Sequence, residues 1–187
     1  MNLLSYIKNI AKLSPESEES IISVFKKESL PKGHYLFKQN DICRHIFFIE
    51  KGLARTYYHT ENGREVTAWF FPENSFITAI DSYYYNNPAK DFCELLEDSI
   101  VYSIKFSEME MMLDKESQMA KFAFHVVYDM TKQMSEFIIN LKFQTAEDRY
   151  SAFLTNYTSI LQRVSLGHIA SYLGITQETL SRIRAGK

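Results

Sequence analysis

The chain has 187 residues, 45% of them hydrophobic, and a formal net charge of −2. Fourteen phenylalanines and twelve tyrosines suffice for a buried core, which excludes a disordered chain. No apolar run reaches about 18 residues, and Met1-Asn2-Leu3-Leu4-Ser5-Tyr6 lacks a signal-peptide pattern, so a soluble, cytoplasmic protein with no membrane contact is expected. Two short helices should open the chain. The second begins at Ser14-Pro15-Glu16, a capping serine followed by proline at the first helical position and acid in the first turn. From about Glu28 to Lys105 the period becomes that of short strands. Turn signals recur at Pro31-Lys32-Gly33, Gln39-Asn40-Asp41, Glu50-Lys51-Gly52, Glu61-Asn62-Gly63 and Pro72-Glu73-Asn74. Tyr35 to Phe37, His45 to Ile49, Ala54 to Tyr58 and Val66 to Phe71 lie between them as strands. Asn62-Gly63 predicts a two-residue hairpin turn. The spacing predicts a small β-sandwich or jelly roll. Tyr83-Tyr84-Tyr85, followed by Asn86-Asn87-Pro88, reads as a short helix running into a loop.

After Lys105 the pattern is helical. Met119, Phe122, Val126, Met130, Gln133, Phe137 and Leu141 recur at spacings of three or four along one stripe. A helix from Ser117 to Leu141 would be about 37 Å long. That is more apolar stripe than a small β-domain covers, so these seven residues are expected to form a homodimer interface, with Gln133 as a partly hydrated register position. The alternative is a stripe packed within its own chain. Thr145-Ala146-Glu147-Asp148 caps the next helix. Tyr150, Phe153, Leu154 and Tyr157 on that helix would form a hydrophobic floor for the C-terminal helices.

Ser165 to Arg184 has the pattern of a helix-turn-helix. Gly174 marks the turn, since two helices crossing there require a left-handed residue. Ala170, four residues upstream, fits the closest approach, and Ile169, Leu173, Ile175, Leu180 and Ile183 face inward. Ser165 and Thr176 stand as N-caps. The bland alternative is a helical hairpin in a core. Against it, Gln177, Glu178, Ser181, Arg182 and Arg184 give the second helix a polar face able to read base edges. Residues 142–187 also carry six Lys/Arg against three Asp/Glu, while residues 1–141 carry fifteen against twenty. A basic tail on an acidic chain suits a polyanionic partner.

The order of β-roll, long helix and helix-turn-helix resembles the Crp/Fnr family of bacterial transcription regulators. The resemblance rests on Gly33, Leu36, Phe37, Asn40-Asp41, Phe48-Ile49, Gly52 and Arg55, and on the run Ile169 to Arg182. It implies an α+β fold: an N-terminal double-stranded β-helix (jelly roll) with flanking helices, a long dimerisation helix, and a C-terminal helix-turn-helix domain. The corresponding boundaries are 1–116 for a cyclic-nucleotide-binding-like sensor, 117–142 for the dimerisation helix and 143–187 for the DNA-binding domain. The sequence runs only to Lys187, so a domain lacking a downstream wing is expected. By resemblance Gln177, Glu178 and Arg182 would read bases, Arg gripping guanine and Glu accepting from cytosine. Thr176 and Ser181 would lie at the same DNA surface, and Arg184 and Lys187 would hold phosphates. The implied partner is double-stranded DNA with a near-palindromic operator. A small-molecule effector and RNA polymerase are further candidates.

The family's cyclic-nucleotide binders carry Phe-Gly-Glu and then Arg-Ser-Ala. Here those stretches read Phe76-Ile77-Thr78 and Ala89-Lys90-Asp91. Losing a buried charged contact costs about 2–5 kcal/mol, so cyclic AMP is not the expected effector. Ile77, Thr78, Ala79, Lys90 and Asp91 remain as pocket candidates for another ligand. Two cysteines, Cys43 and Cys93, are too few for a cysteine-only metal site or an iron–sulfur cluster in one chain. His34, His45 and His59 lie far apart with no His-x-His pair, and no nucleophile motif or phosphate loop is present. No metal, cofactor or catalytic role is therefore expected. The competing reading is a small-molecule-binding β-roll module whose helical tail serves protein contacts.

Overall fold

The computed structural model describes residues 1–186. The chain opens with α1 (Leu3–Ile10) and α2 (Pro15–Val24). Ser14 accepts the Ser17 N–H at 3.2 Å and Pro15 begins its helix, as the sequence predicts. Among the described residues eight strands follow: β1 (Lys26–Leu30), β2 (Tyr35–Phe37), β3 (His45–Lys51), β4 (Ala54–His59), β5 (Glu65–Phe71), β6 (Phe76–Ile77), β7 (Phe92–Leu95) and β8 (Ser99–Lys105). The short helix α3 (Ile80–Tyr85) lies between β6 and β7 and ends at Asn86, whose φ of +50° turns the chain into the loop. All pairing is antiparallel, in two four-stranded sheets ordered β1-β8-β3-β6 and β2-β7-β4-β5.

Strand side chains alternate between faces, so each sheet has an inner and an outer surface to cover. Phe37, Ile49, Ala54, Ile77, Cys93 and Leu95 fill the space between the sheets. The outer face of the first sheet, through Phe48 and Ile104, packs on α1, α2, α4 (Phe106–Lys115) and the start of α5 (Ser117–Phe143). The outer face of the second sheet is covered by α6 (Ala146–Asn156), a single 3-10 turn (Thr158–Ile160) and α7 (Leu166–Tyr172), with α8 (Gln177–Arg184) behind them. No helix among the described residues is long and apolar enough to cross a membrane.

The β4–β5 hairpin corrects the two-residue turn expected at Asn62-Gly63. Such a turn needs both central residues left-handed. Gly63 is, at φ +77°, but Asn62 is not. Thr60 N–H instead donates to the Arg64 carbonyl at 2.9 Å and Gly63 N–H to the Thr60 carbonyl at 2.8 Å, which makes a wider loop. The Thr60 hydroxyl bonds within that loop and holds it open.

The seven residues expected at a dimer interface require a larger correction. Met119 is 0% exposed and Phe122 3%, both sealed inside their own chain against α1 and α4. Val126 packs on the same cluster, and Phe137 joins Trp69 and Tyr172 on the second sheet. Met130 is half-buried, while Gln133 and Leu141 are exposed. A helix advances 100° per residue, and a row of uncovered apolar side chains lies about a third of a turn round from this stripe. Phe124, Val127, Tyr128, Met134 and Ile138 form this row, with Leu141 at its end, while Ile139 and Phe143 are exposed beside it.

Candidate nucleic-acid interface

Local hydrogen bonds shape the two C-terminal helices and the turn between them. Ser165 caps α7 by accepting the His168 N–H at 3.2 Å. Thr176 caps α8 by accepting the Thr179 N–H at 3.2 Å. Between them Gly174, at φ +69°, reverses the chain. Its N–H donates to the Ser171 carbonyl at 3.1 Å and the Ile175 N–H to the Ala170 carbonyl at 3.0 Å, the two bonds of a glycine-terminated helix end. Leu173's carbonyl is closed from outside by Arg149 Nε at 3.1 Å, and Arg149 Nη1 reaches the Gln144 carbonyl at 2.9 Å.

The inward positions are placed as the pattern requires. Ile169, Ala170 and Leu173 are each 2% exposed, Leu180 is fully covered, and Ile175 and Ile183 are half-buried. Tyr150, Phe153 and Tyr157 lie in the same cluster; Leu154 is half-buried on α6, facing Ile183 across a surface recess. Thr176, Gln177, Glu178, Ser181, Arg182 and Arg184 are all exposed; Glu178, Ser181 and Arg182 lie on the side of α8 away from that core, and Arg184 borders the recess with Leu154 and Ile183. Lys187 lies outside the described residues. At the start of α8 its own backbone N–H, the Thr176 hydroxyl and Arg182 hold the Glu178 carboxyl below its usual range. Arg182 Nη2 donates to Thr179 Oγ1 at 3.3 Å, and that hydroxyl lies 3.1 Å from Thr176 Oγ1. The row from cap to arginine steadies the guanidinium over one edge of the face.

The ligand-pocket candidates lie at the end of β6, at the start of α3 and just before β7. Ile77 and Ala79, 1% and 3% exposed, are part of the packing between the sheets. Thr78 donates its hydroxyl to the His45 carbonyl at 3.1 Å. Lys90 faces outward to Asp81 at 3.2 Å, not into the roll. Asp91 is half-buried, and burial, with Asp81 nearby, pushes its carboxyl up to about 6. Cys43 and Cys93 are free, buried thiols, and burial raises both above their ordinary range.

Sequence reading missed the side chains that join the helix-turn-helix to the roll. Arg163, just before α7, forks onto Glu97 (Nε–Oε2 3.0 Å, Nη2–Oε1 2.5 Å) and onto Glu73 (Nη1–Oε2 3.1 Å, Nη2–Oε1 2.8 Å). These carboxylates raise its guanidinium's pKa further, and Arg163 holds Glu73 below the usual carboxylate range despite burial. Arg55, 3% exposed, pairs with Glu94 and Glu65 on the sheet face beneath α7. Thr67 N–H on β5 donates to Ser171 Oγ on α7 at 2.9 Å. The partners lie up to 104 residues apart in the chain, and no spacing rule connects them.

Residues 27–116 match the cyclic nucleotide-binding domain family. The chain is 29% identical over 170 residues to the fumarate and nitrate reduction regulatory protein of Vibrio cholerae, a match that covers 84% of this chain and 67% of that protein. It therefore spans about two thirds of that relative's length. Among solved structures it is similar to FixK2 from Bradyrhizobium japonicum, with a TM-score of 0.75 at 20% identity over 87% of this chain and 84% of the other. A putative transcriptional regulator of the crp/fnr family from Eubacterium rectale gives 0.72 at 17% identity, over 93% and 83%. These two structures share the fold.

Proposed function

We propose that this chain is a transcription regulator of the Crp/Fnr type and a homodimeric, sequence-specific reader of double-stranded DNA, a reading that its cyclic nucleotide-binding domain match and its likeness to the Vibrio cholerae regulator support. One observation carries the reading: α8 is capped, fixed by the Gly174 turn and by Leu180, and leaves Gln177, Glu178, Ser181, Arg182 and Arg184 exposed. Such a helix enters the major groove, where Arg182 can grip guanine O6 and N7 and Glu178 can accept from cytosine N4. Arg184, with Lys187, supplies phosphate contacts. In this reading residues 1–116 form a jelly-roll sensor, 117–142 the dimerisation helix and 143–187 the reader. The protein acts in the cytoplasm, regulates rather than catalyses, and meets RNA polymerase at its promoters. Two half-sites about 34–36 Å apart make the operator a near-palindrome.

The dimer seam in this reading is the uncovered row Phe124, Val127, Tyr128, Met134, Ile138 and Leu141, which replaces the buried stripe. A row of large apolar side chains along a helix calls for a partner. In this reading cyclic AMP is not the effector, which the packing of Ile77 and Ala79 between the sheets and the pairing of Lys90 with Asp81 support.

Selection of bound duplexes from a random library, run on the wild type and on Arg182→Ala, tests the DNA reading. The wild type should enrich an inverted repeat. Arg182→Ala should lose about 1–3 kcal/mol and relax one symmetric position. No enrichment, or affinity for duplex that stays flat between low and moderate salt, would refute it.

A further inference from the structure

A cleft of about 420 Å³ runs between the C-terminal half of α5 and the helices α6 and α7. Its floor is aromatic. Trp69 meets Phe137 edge-on at 5.4 Å and Tyr172 edge-on at 5.9 Å, while Phe137 stacks on Tyr172 at 4.8 Å. Its walls are polar and incompletely used. Arg149 commits Nε and Nη1 to the Leu173 and Gln144 carbonyls, and its Nη2 has no hydrogen-bond partner among the described residues. The carboxamides of Gln133 and Asn140, also on the walls, make no hydrogen bond among those residues. Lys132 lies 3.9 Å from Glu136 on the rim and offsets part of its charge.

We propose that this cleft is a binding site for a small, planar aromatic carboxylate. A small-molecule site combines an apolar or aromatic surface with directed polar groups, here the floor and the walls, and the volume falls within the usual range of about 300–1,000 Å³. A flat ring matches the floor of Trp69, Phe137 and Tyr172. A carboxylate answers the free edge of Arg149, which gives the stronger, charge-assisted bond. The two carboxamides remain for polar ring substituents. The ligand would touch both α5 and the reader's supporting helices; its role as an effector rests on the DNA reading above, but its binding does not.

Trp69 is the sole tryptophan of the chain, so its fluorescence reports on this cleft alone. The probe is 4-nitrobenzoate, a planar aromatic acid whose nitro group quenches tryptophan, with the neutral 4-nitrobenzamide as control. Quenching of the full chain by the acid, corrected for absorbance, should saturate at a concentration at least tenfold lower than for the amide. Arg149→Gln should abolish that preference. Because Arg149 also closes two carbonyls, the deciding variant is Gln133→Glu, an exposed change that adds a negative charge at the wall. It should weaken the acid at least fivefold and leave the amide unchanged. Non-saturating quenching equal for acid and amide, or saturable binding that Gln133→Glu does not move, overturns the proposal. No DNA enters the measurement, so failure of the DNA reading and failure of this site are separate results.

Discussion

Replacing Gly174 by alanine adds a Cβ to a backbone held at φ +69°, a conformation that L side chains adopt at a cost of about 1–2 kcal/mol. Space is not the obstacle, since the added carbon would meet only Leu141 Cδ2, at an ordinary 3.8 Å. Gly174→Ala should therefore lower the melting temperature by about 3–6 °C without a steric clash, and a thermal melt checks it. Asp91 gives the opposite sign. Burial raises its carboxyl from an unfolded value near 3.9 to about 6, so the folded state binds the extra proton between those limits. Its penalty is absent below about pH 4 and fully present above about pH 6, so this residue makes stability fall as pH rises. Asp91→Asn should raise the melting temperature at pH 7.5, and little or not at all at pH 4. An equal gain at both values would show that its charge is not the cause.

At the scale of elements, legibility depended on whether the determinants were local. The caps at Ser14, Thr145, Ser165 and Thr176 were readable because cap and partner are three residues apart. So was the Gly174 turn, with its inward and outward faces. The strands were readable from their turns, though Asn62 declined the left-handed conformation that the dipeptide suggests. Helix α5 shows the limit. Its period is real, but a helix with two apolar rows does not announce which one meets its own chain. The row beginning at Met119 and Phe122 is taken by α1 and α4, the first of them about a hundred residues earlier, and only the fold reveals that. If the uncovered row is the seam between subunits, Ile138→Glu should give a monomer in sedimentation, with helix content kept and operator affinity lost. A dimer that survives this change would place the seam elsewhere.

On the whole-molecule scale the reader and the roll share one core. Leu53 from the β3–β4 turn and Phe70 from β5, 0% and 1% exposed, pack among Phe153, Ile169 and Tyr172. Arg163 ties the same junction through four nitrogen–oxygen contacts to two loops of the roll. None of this could be read from the sequence, because Arg163 lies 66 and 90 residues from its partners. Arg163→Met keeps the stem but strips both carboxylates of their counter-charge. With the side chain 23% exposed, a loss of about 1–3 kcal/mol in denaturant unfolding is expected, with the reader loosening before the roll in hydrogen exchange. Uniform exchange across both parts would mean that the apolar core alone joins them.

The bond from Thr67 to Ser171 has a further consequence. β5 is the last strand of its sheet, and its sequence, Glu-Val-Thr-Ala-Trp-Phe-Phe, is rich in residues that favour strand pairing. A bare edge of that composition is a template on which another chain can add itself. Here α7 lies along it, and Ser171 Oγ occupies the outward Thr67 N–H. Any excursion that lifts the reader off the roll uncovers this strand. For this molecule, keeping the DNA-reading helices docked and staying free of aggregation are the same requirement.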